Sequence, residues 1–125
     1  MQPNHFSLVL AASLLAGCTT LGVGPFGSGP LGQPPDAGTP QTSSNVSVYR
    51  APSSSDLLGM VFTINGEAIY QLQPNDRYDF ILAAGTYEFG YRMGTGHCSQ
   101  FVQIDPRSNY VFKLASGCTI VLESQ

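Results

Sequence analysis

Residues 86–93 read TYEFGYRM, a run in which large apolar side chains alternate with small or polar ones. Alternation of this kind has the two-residue period of a β-strand with one buried face. Tyr87, Phe89 and Tyr91 are therefore expected to face a core, and Glu88 and Arg92 to face solvent. The stretch predicts a half-buried β-strand, and no segment of residues 46–125 shows apolar residues at helical spacing over a helical length.

The same period continues on both sides of this strand. All six Tyr and five of the seven Phe lie in residues 46–125, and aromatic residues favour strands. Short alternating or apolar runs are separated by turn sequences such as Asn65-Gly66 and Ser116-Gly117. Residues 46–125 are therefore predicted to form an all-β domain, an antiparallel β-sandwich of seven or eight short strands.

The hairpin around Asn65-Gly66 has two possible registers. Asn-Gly favours a two-residue turn, which leaves Val61, Tyr70 and Leu72 as an exposed apolar stripe and the best candidate partner surface. A bulge or a longer loop instead places a larger apolar set on one face, and we favour this register because burying that set is worth several kcal/mol. The set is Met60, Phe62, Ile64, Ala68, Tyr70 and Leu72.

Two of the three cysteines fall in the predicted domain. Cys98 is in phase with Val102, and Cys118 with Ile120, so both are expected to face the core and to form a disulfide. The alternative is a metal site with His97, but three ligands that include an adjacent pair make a poor site. We therefore predict a disulfide and no metal.

The beginning of the chain carries an apolar run of 11 residues, Phe6 to Ala16, too short for a membrane-spanning helix. It ends in Leu15-Ala16-Gly17-Cys18, which resembles the lipobox of bacterial lipoproteins. That resemblance implies a signal peptide over residues 1–17 and fatty acids such as palmitate on Cys18. Residues 1–5 depart from the family pattern in having no Lys or Arg. Thr19 after the cysteine implies delivery to the outer membrane, on its periplasmic side or exposed at the surface.

Residues 18–45 join this cysteine to the domain. The stretch is rich in Gly and Pro, has Asp36 as its only charge and shows no hydrophobic periodicity. Such a composition predicts a flexible linker. The alternative is a docking segment for another protein, built on Leu21, Val23, Phe26 and Leu31.

Composition excludes several classes of function. Charged residues make up 10% of the chain and its net charge is −3, unlike a nucleic-acid-binding protein. No motif for a nucleotide or another cofactor is present. His97, and the carboxylates of Asp79 and Glu88, are best interpreted as surface groups. The three arginines of the predicted strands and turns are expected to be surface charges as well, and they are Arg50, Arg92 and Arg107.

Four segments within the predicted domain resemble small lipoprotein domains of unknown function related to the PEGA-type β-sandwich. In chain order they are Val48-Tyr49-Arg50, Phe62 to Glu67 (FTINGE), Leu82 to Tyr87 (LAAGTY) and Tyr110-Val111-Phe112. The family has prolines where this chain has Ala83-Ala84. The resemblance implies a β-sandwich in a cell-surface setting, with no known reaction. From this resemblance, the lipobox and the lack of a catalytic motif, we predict a sandwich that binds a protein or another envelope or cell-wall component without catalysis. The alternatives are a structural anchor of an envelope assembly or secretion machine and, least favoured, a small hydrolase.

Overall fold

The computed structural model describes residues 23–52 and 58–125 of the chain. Every regular element in these two ranges is a β-strand. The same ranges contain no helix of the length and apolarity needed to span a membrane. The strands are β1 (Gly29–Pro30), β2 (Ser43–Arg50), β3 (Met60–Ile64), β4 (Glu67–Leu72), β5 (Arg77–Ala83), β6 (Gly85–Met93), β7 (Gly96–Ile104), β8 (Asn109–Ala115) and β9 (Thr119–Ser124).

These strands form two sheets, so the predicted all-β sandwich is confirmed. The first sheet has the order β1-β4-β3-β6-β7 and the second the order β5-β2-β8-β9. One pairing departs from the predicted antiparallel arrangement, because β2 runs parallel to β8, with Asn45 opposite Asn109. Parallel neighbours need a long crossover, and here the connection consists of the strands from β3 to β7.

The core lies between the two sheets and consists mainly of aromatic and branched side chains. Phe62, Phe89 and Phe112 are at most 3% exposed. The rings of Phe62 and Phe89 meet edge to face at 5.3 Å between centroids, and those of Phe89 and Phe112 at 5.2 Å, an arrangement that aromatic quadrupoles favour. Tyr87 and Tyr91 are also buried, which confirms the core-facing row predicted from residues 86–93.

The β3–β4 hairpin contains both the two-residue turn and the β-bulge, which the sequence presents as alternatives. Asn65 and Gly66 form a two-residue turn with φ angles of 52° and 84°, as a type I′ turn requires. Further along, the register shifts by one residue, which leaves Ile69 as a β-bulge. The buried set differs from the predicted one because Ile69 is fully buried and Ala68 is only half-buried.

Residues 23–42, which we call the N-terminal arm, lie against the sandwich. The structure thus differs from the flexible linker predicted for residues 18–45, of which it describes 23–45. Gly29 and Pro30 pair with β4, and the Gln71 side-chain amide donates to the carbonyls of Gly24 and Gly27 at 2.6 and 3.1 Å. The predicted boundary at residue 46 also falls inside a strand, because β2 begins at Ser43.

Glycine explains the close approach of this arm. A Cβ atom on Gly32 would lie 2.5 Å from the carbonyl oxygen of Ala68, closer than any side chain allows. Glycine content suggested a flexible linker, but at Gly32 the missing side chain lets the backbone of the arm contact the backbone of β4.

Arg50 corrects another expectation, because it is not a surface charge. It lies at the end of β2 and is 1% exposed. Its guanidinium donates to the carbonyls of Leu58 and Leu72 at 2.7 and 2.9 Å. A buried charge is tolerable because these acceptors replace its water.

Candidate functional site

Val61, Tyr70 and Leu72, the predicted partner surface, do not come together as an exposed stripe. That surface depended on a hairpin without a bulge. Leu72 is fully buried, Val61 is half-buried, and the Tyr70 ring stacks on Tyr78 with centroids 4.3 Å apart. The bulge at Ile69 is the physical reason, because it returns Tyr70 and Leu72 to the core side of β4.

The predicted disulfide is present, and it joins the two sheets. Cys98 lies on β7 and Cys118 in the turn between β8 and β9, with 5.2 Å between their Cα atoms. Only Cys98 is buried, whereas Cys118 is exposed at a φ of 60°. Cys18 and the predicted signal peptide over residues 1–17 lie outside the described residues.

The polar side chains considered for chemistry are held in structural roles or lie exposed. The Glu88 carboxylate is 2.9 Å from the Ser99 hydroxyl, its hydrogen-bond donor. His97 is exposed and lies opposite Arg92 on the neighbouring strand. Across residues 23–52 and 58–125, no three His, Cys, Asp or Glu side chains come together in a group that could hold a metal ion.

A shallow groove of about 480 Å³ lies on the outer face of the second sheet. Asp79 lies in its lining and accepts hydrogen bonds from the Ser47 hydroxyl at 2.5 Å and from Nε of Arg77 at 2.8 Å. The Ser47 bond first, and then the Arg77 bond, hold the pKa of Asp79 below its ordinary value of 3.8. Each charge in the groove thus already has a partner, so the groove is an ordinary solvated sheet face.

The side of the sandwich formed by β7 and β9 differs from this groove in exposing edge strands and large apolar side chains. Both are the last strands of their sheets. Besides the disulfide, the Gln100 side-chain amide donates to the carbonyl of Ile120 at 2.8 Å, which holds the two strands side by side. Within the described part of the chain β7 pairs only with β6, and β9 only with β8.

Large apolar side chains are exposed on these two strands. Phe101 on β7 is 73% exposed, and Val121 and Leu122 on β9 are each 44% exposed. We call β7 and β9, with these three side chains, the open edge. Phe101 is the most exposed of the three, and aromatic residues often dominate the binding energy at interfaces.

The direction of the backbone groups of β7 follows from its neighbour. The amide of Glu88 donates to the Asn65 side chain, and the carbonyl of Glu88 accepts from the Asn65 amide, so both groups point toward β3. Backbone direction alternates along a strand, and Phe89 therefore points toward β7, where Gln100 is its partner. Phe101, the next residue, points its own amide and carbonyl away from the sheet.

The β7 strand of the open edge lacks the features that block strand addition elsewhere in this molecule. On the opposite side of the sandwich the N-terminal arm covers β4, and β5 carries the charges of Arg77 and Asp79. The β7 strand has no Lys, Arg, Asp, Glu or Pro, and His97 is its single ionisable side chain apart from the bonded Cys98. Edge strands are usually protected by charge, proline or a covering segment, so the open edge is the best candidate for a docking surface.

Phe101 could have been singled out from the sequence. It is out of phase with Cys98, Val102 and Ile104, so the alternation places an aromatic ring on the solvent side of the strand. Leu122 could not, because its phase matches that of the buried Ile120.

No protein-family model, curated protein or solved structure matches this chain.

Proposed function

We propose that this chain is a lipid-anchored outer-membrane protein whose sandwich faces the periplasm and binds a protein or cell-wall component without catalysis. In this proposal residues 1–17 are a cleaved signal peptide and Cys18 carries the fatty acids. Two or three acyl chains anchor a protein stably where one does not. The Cys98–Cys118 disulfide supports the assignment, because disulfides persist in oxidising compartments such as the periplasm.

The observation that carries the binding role is the exposure of Phe101 on an unprotected edge strand. Covering a Phe side chain contributes about 1.5–3 kcal/mol, and aromatic residues often dominate binding energy at interfaces. The outward-pointing backbone groups of β7 add hydrogen bonds for a strand laid along it. A rigid sandwich with one such edge fits a binding module, and the structural roles of Glu88 and Asp79 support the absence of catalysis.

Anchoring is tested by Cys18→Ser. We expect this variant to accumulate as an unacylated precursor that no longer floats with outer-membrane vesicles, because no thiol remains for acylation. Mass spectrometry of the wild-type chain should find Cys18 acylated and at the new N-terminus. An unmodified Cys18, or cleavage at another position, contradicts the proposed anchor.

Binding is tested with the photoreactive residue p-benzoylphenylalanine in cells that make the full chain. At position 101 we expect irradiation to give an adduct larger than the monomer, because the probe lies on the docking surface. The matched control is position 81, since Ile81 is 50% exposed on the edge strand β5. Equal labelling at both positions, or no adduct at 101 in a chain of normal abundance, contradicts the proposed surface.

A further inference from the structure

We infer that the open edge pairs with the open edge of a second copy of this chain, through antiparallel addition of one β7 strand to the other. The inference rests on the proposed function and names the partner at the same surface. A two-fold axis perpendicular to the sheet relates the two copies and keeps Phe101 of both on the same face. The contact is isologous and therefore closes at two copies.

The backbone of β7 is suited to this pairing. Because Phe101 points its amide and carbonyl outward, alternation gives the same direction to Ser99 and Gln103. When Phe101 lies opposite Phe101 of the second copy, Ser99 lies opposite Gln103. The Phe101–Phe101 and Ser99–Gln103 pairs then consist of residues that both donate and accept across the new strand boundary, whereas Gln100 and Val102 between them bond to β6.

Side-chain charge favours a second copy in this register. β7 has no Lys, Arg, Asp or Glu, so no like charges face each other within the paired strands. The register also brings His97 opposite Asp105 of the second copy, and an imidazole can donate a hydrogen bond to a carboxylate in either protonation state. Glu123 on β9 is already engaged, with Tyr49 at 2.5 Å and with Lys113 at 4.0 Å.

The exposed rings also fit self-pairing. In the proposed register the two Phe101 rings are cross-strand neighbours, an arrangement in which aromatic pairs stabilise a sheet. Each ring thus covers the other, which accounts for a Phe that is 73% exposed in the single chain.

The first experiment uses two full-length forms with different epitope tags, made together in one cell. With p-benzoylphenylalanine at position 101 of one form, we expect an adduct of twice the chain mass that carries both tags. An adduct with a different protein overturns pairing with a second copy but leaves the proposed function standing. Absence of any adduct overturns both.

The second experiment tests the register by charge. Two forms that both carry Phe101→Lys should no longer co-isolate from detergent extracts, because like charges then face each other across the two-fold axis. Phe101→Lys together with Phe101→Glu should restore co-isolation. Failure of the mixed pair, or undiminished co-isolation of the two lysine forms, overturns this register. Absence of free thiols at Cys98 and Cys118 reports that each variant is folded.

Discussion

Arg50 shows how a single residue joins separate parts of the fold. It lies at the end of β2, yet it donates hydrogen bonds to the carbonyls of Leu58, just before β3, and of Leu72, the last residue of β4. β2 belongs to one sheet and β4 to the other. The guanidinium therefore ties the two sheets together at one end of the sandwich.

Replacing this side chain tests its contribution. We expect Arg50→Met to lower the free energy of unfolding by about 3 kcal/mol, because buried carbonyls lose charge-assisted hydrogen bonds. Denaturant unfolding followed by circular dichroism measures the change. The control is Arg92→Met on the outer face of the first sheet, where we expect a change within about 0.5 kcal/mol. Equal stability of the two variants contradicts the role given to Arg50.

At the scale of elements, the N-terminal arm is held by backbone hydrogen bonds to the sandwich and by a few side-chain contacts. The Gln71 side chain is 7% exposed and donates to two carbonyls of the arm. Its removal takes one of two donors from each carbonyl, since the Gly27 amide still donates to Gly24 and the Gln73 side chain to Gly27, and it opens space beside β4. The arm should then leave the sheet more often while the sandwich itself stays folded.

Limited proteolysis of Gln71→Ala measures this opening. We expect cleavage between residues 24 and 42 to become roughly tenfold faster, because two lost hydrogen bonds together are worth about 1.4 kcal/mol. Gln103→Ala, which changes the same residue type on the exposed surface of β7, should leave the cleavage rate unchanged. A rate for Gln71→Ala equal to that of the wild type would show that the amide does not hold the arm.

Local periodicity predicted most of the strands, because alternation depends only on neighbouring residues. The burial of Tyr87, Phe89 and Tyr91 follows directly from residues 86–93. The position of the N-terminal arm could not be predicted from periodicity, because it depends on contacts between residues far apart in the chain. The glycines of the arm have the composition of a linker, and only the position of Ala68 shows that Gly32 is needed for a close approach.

The open edge also could not be predicted from local sequence patterns alone. The phase of Phe101 was visible in the sequence, but its significance depends on β7 being the last strand of its sheet. The order of strands is determined by pairing between distant segments, and a two-residue period contains no information about it. The buried Arg50 was missed for a related reason, since its acceptors lie on other elements.

For the whole molecule, the disulfide is the covalent link between the sheets. It closes a loop of 20 residues, and such a bond contributes about 3 kcal/mol by restricting the unfolded chain. We expect reduction to lower the melting temperature by about 10 °C or more, because a domain of this size has a small entropy of unfolding. Thermal unfolding with and without reductant measures the shift.

Two controls accompany this measurement. The double variant Cys98→Ala/Cys118→Ala should melt like the reduced wild type and should not respond to reductant. Alkylation of the native protein should label neither Cys98 nor Cys118. A melting temperature indifferent to reductant in the wild type would show that the bond adds nothing to stability.

The parallel pairing of β2 with β8 also determines when the protein can fold. Asn45 and Asn109 are 64 residues apart in the chain, so β2 can pair with β5 earlier but gains its second neighbour only when most of the polypeptide has left the ribosome. Such a high contact order slows folding. The second sheet is therefore complete only when the C-terminal strands β8 and β9 arrive, whereas the β3–β4 and β6–β7 hairpins can pair before them.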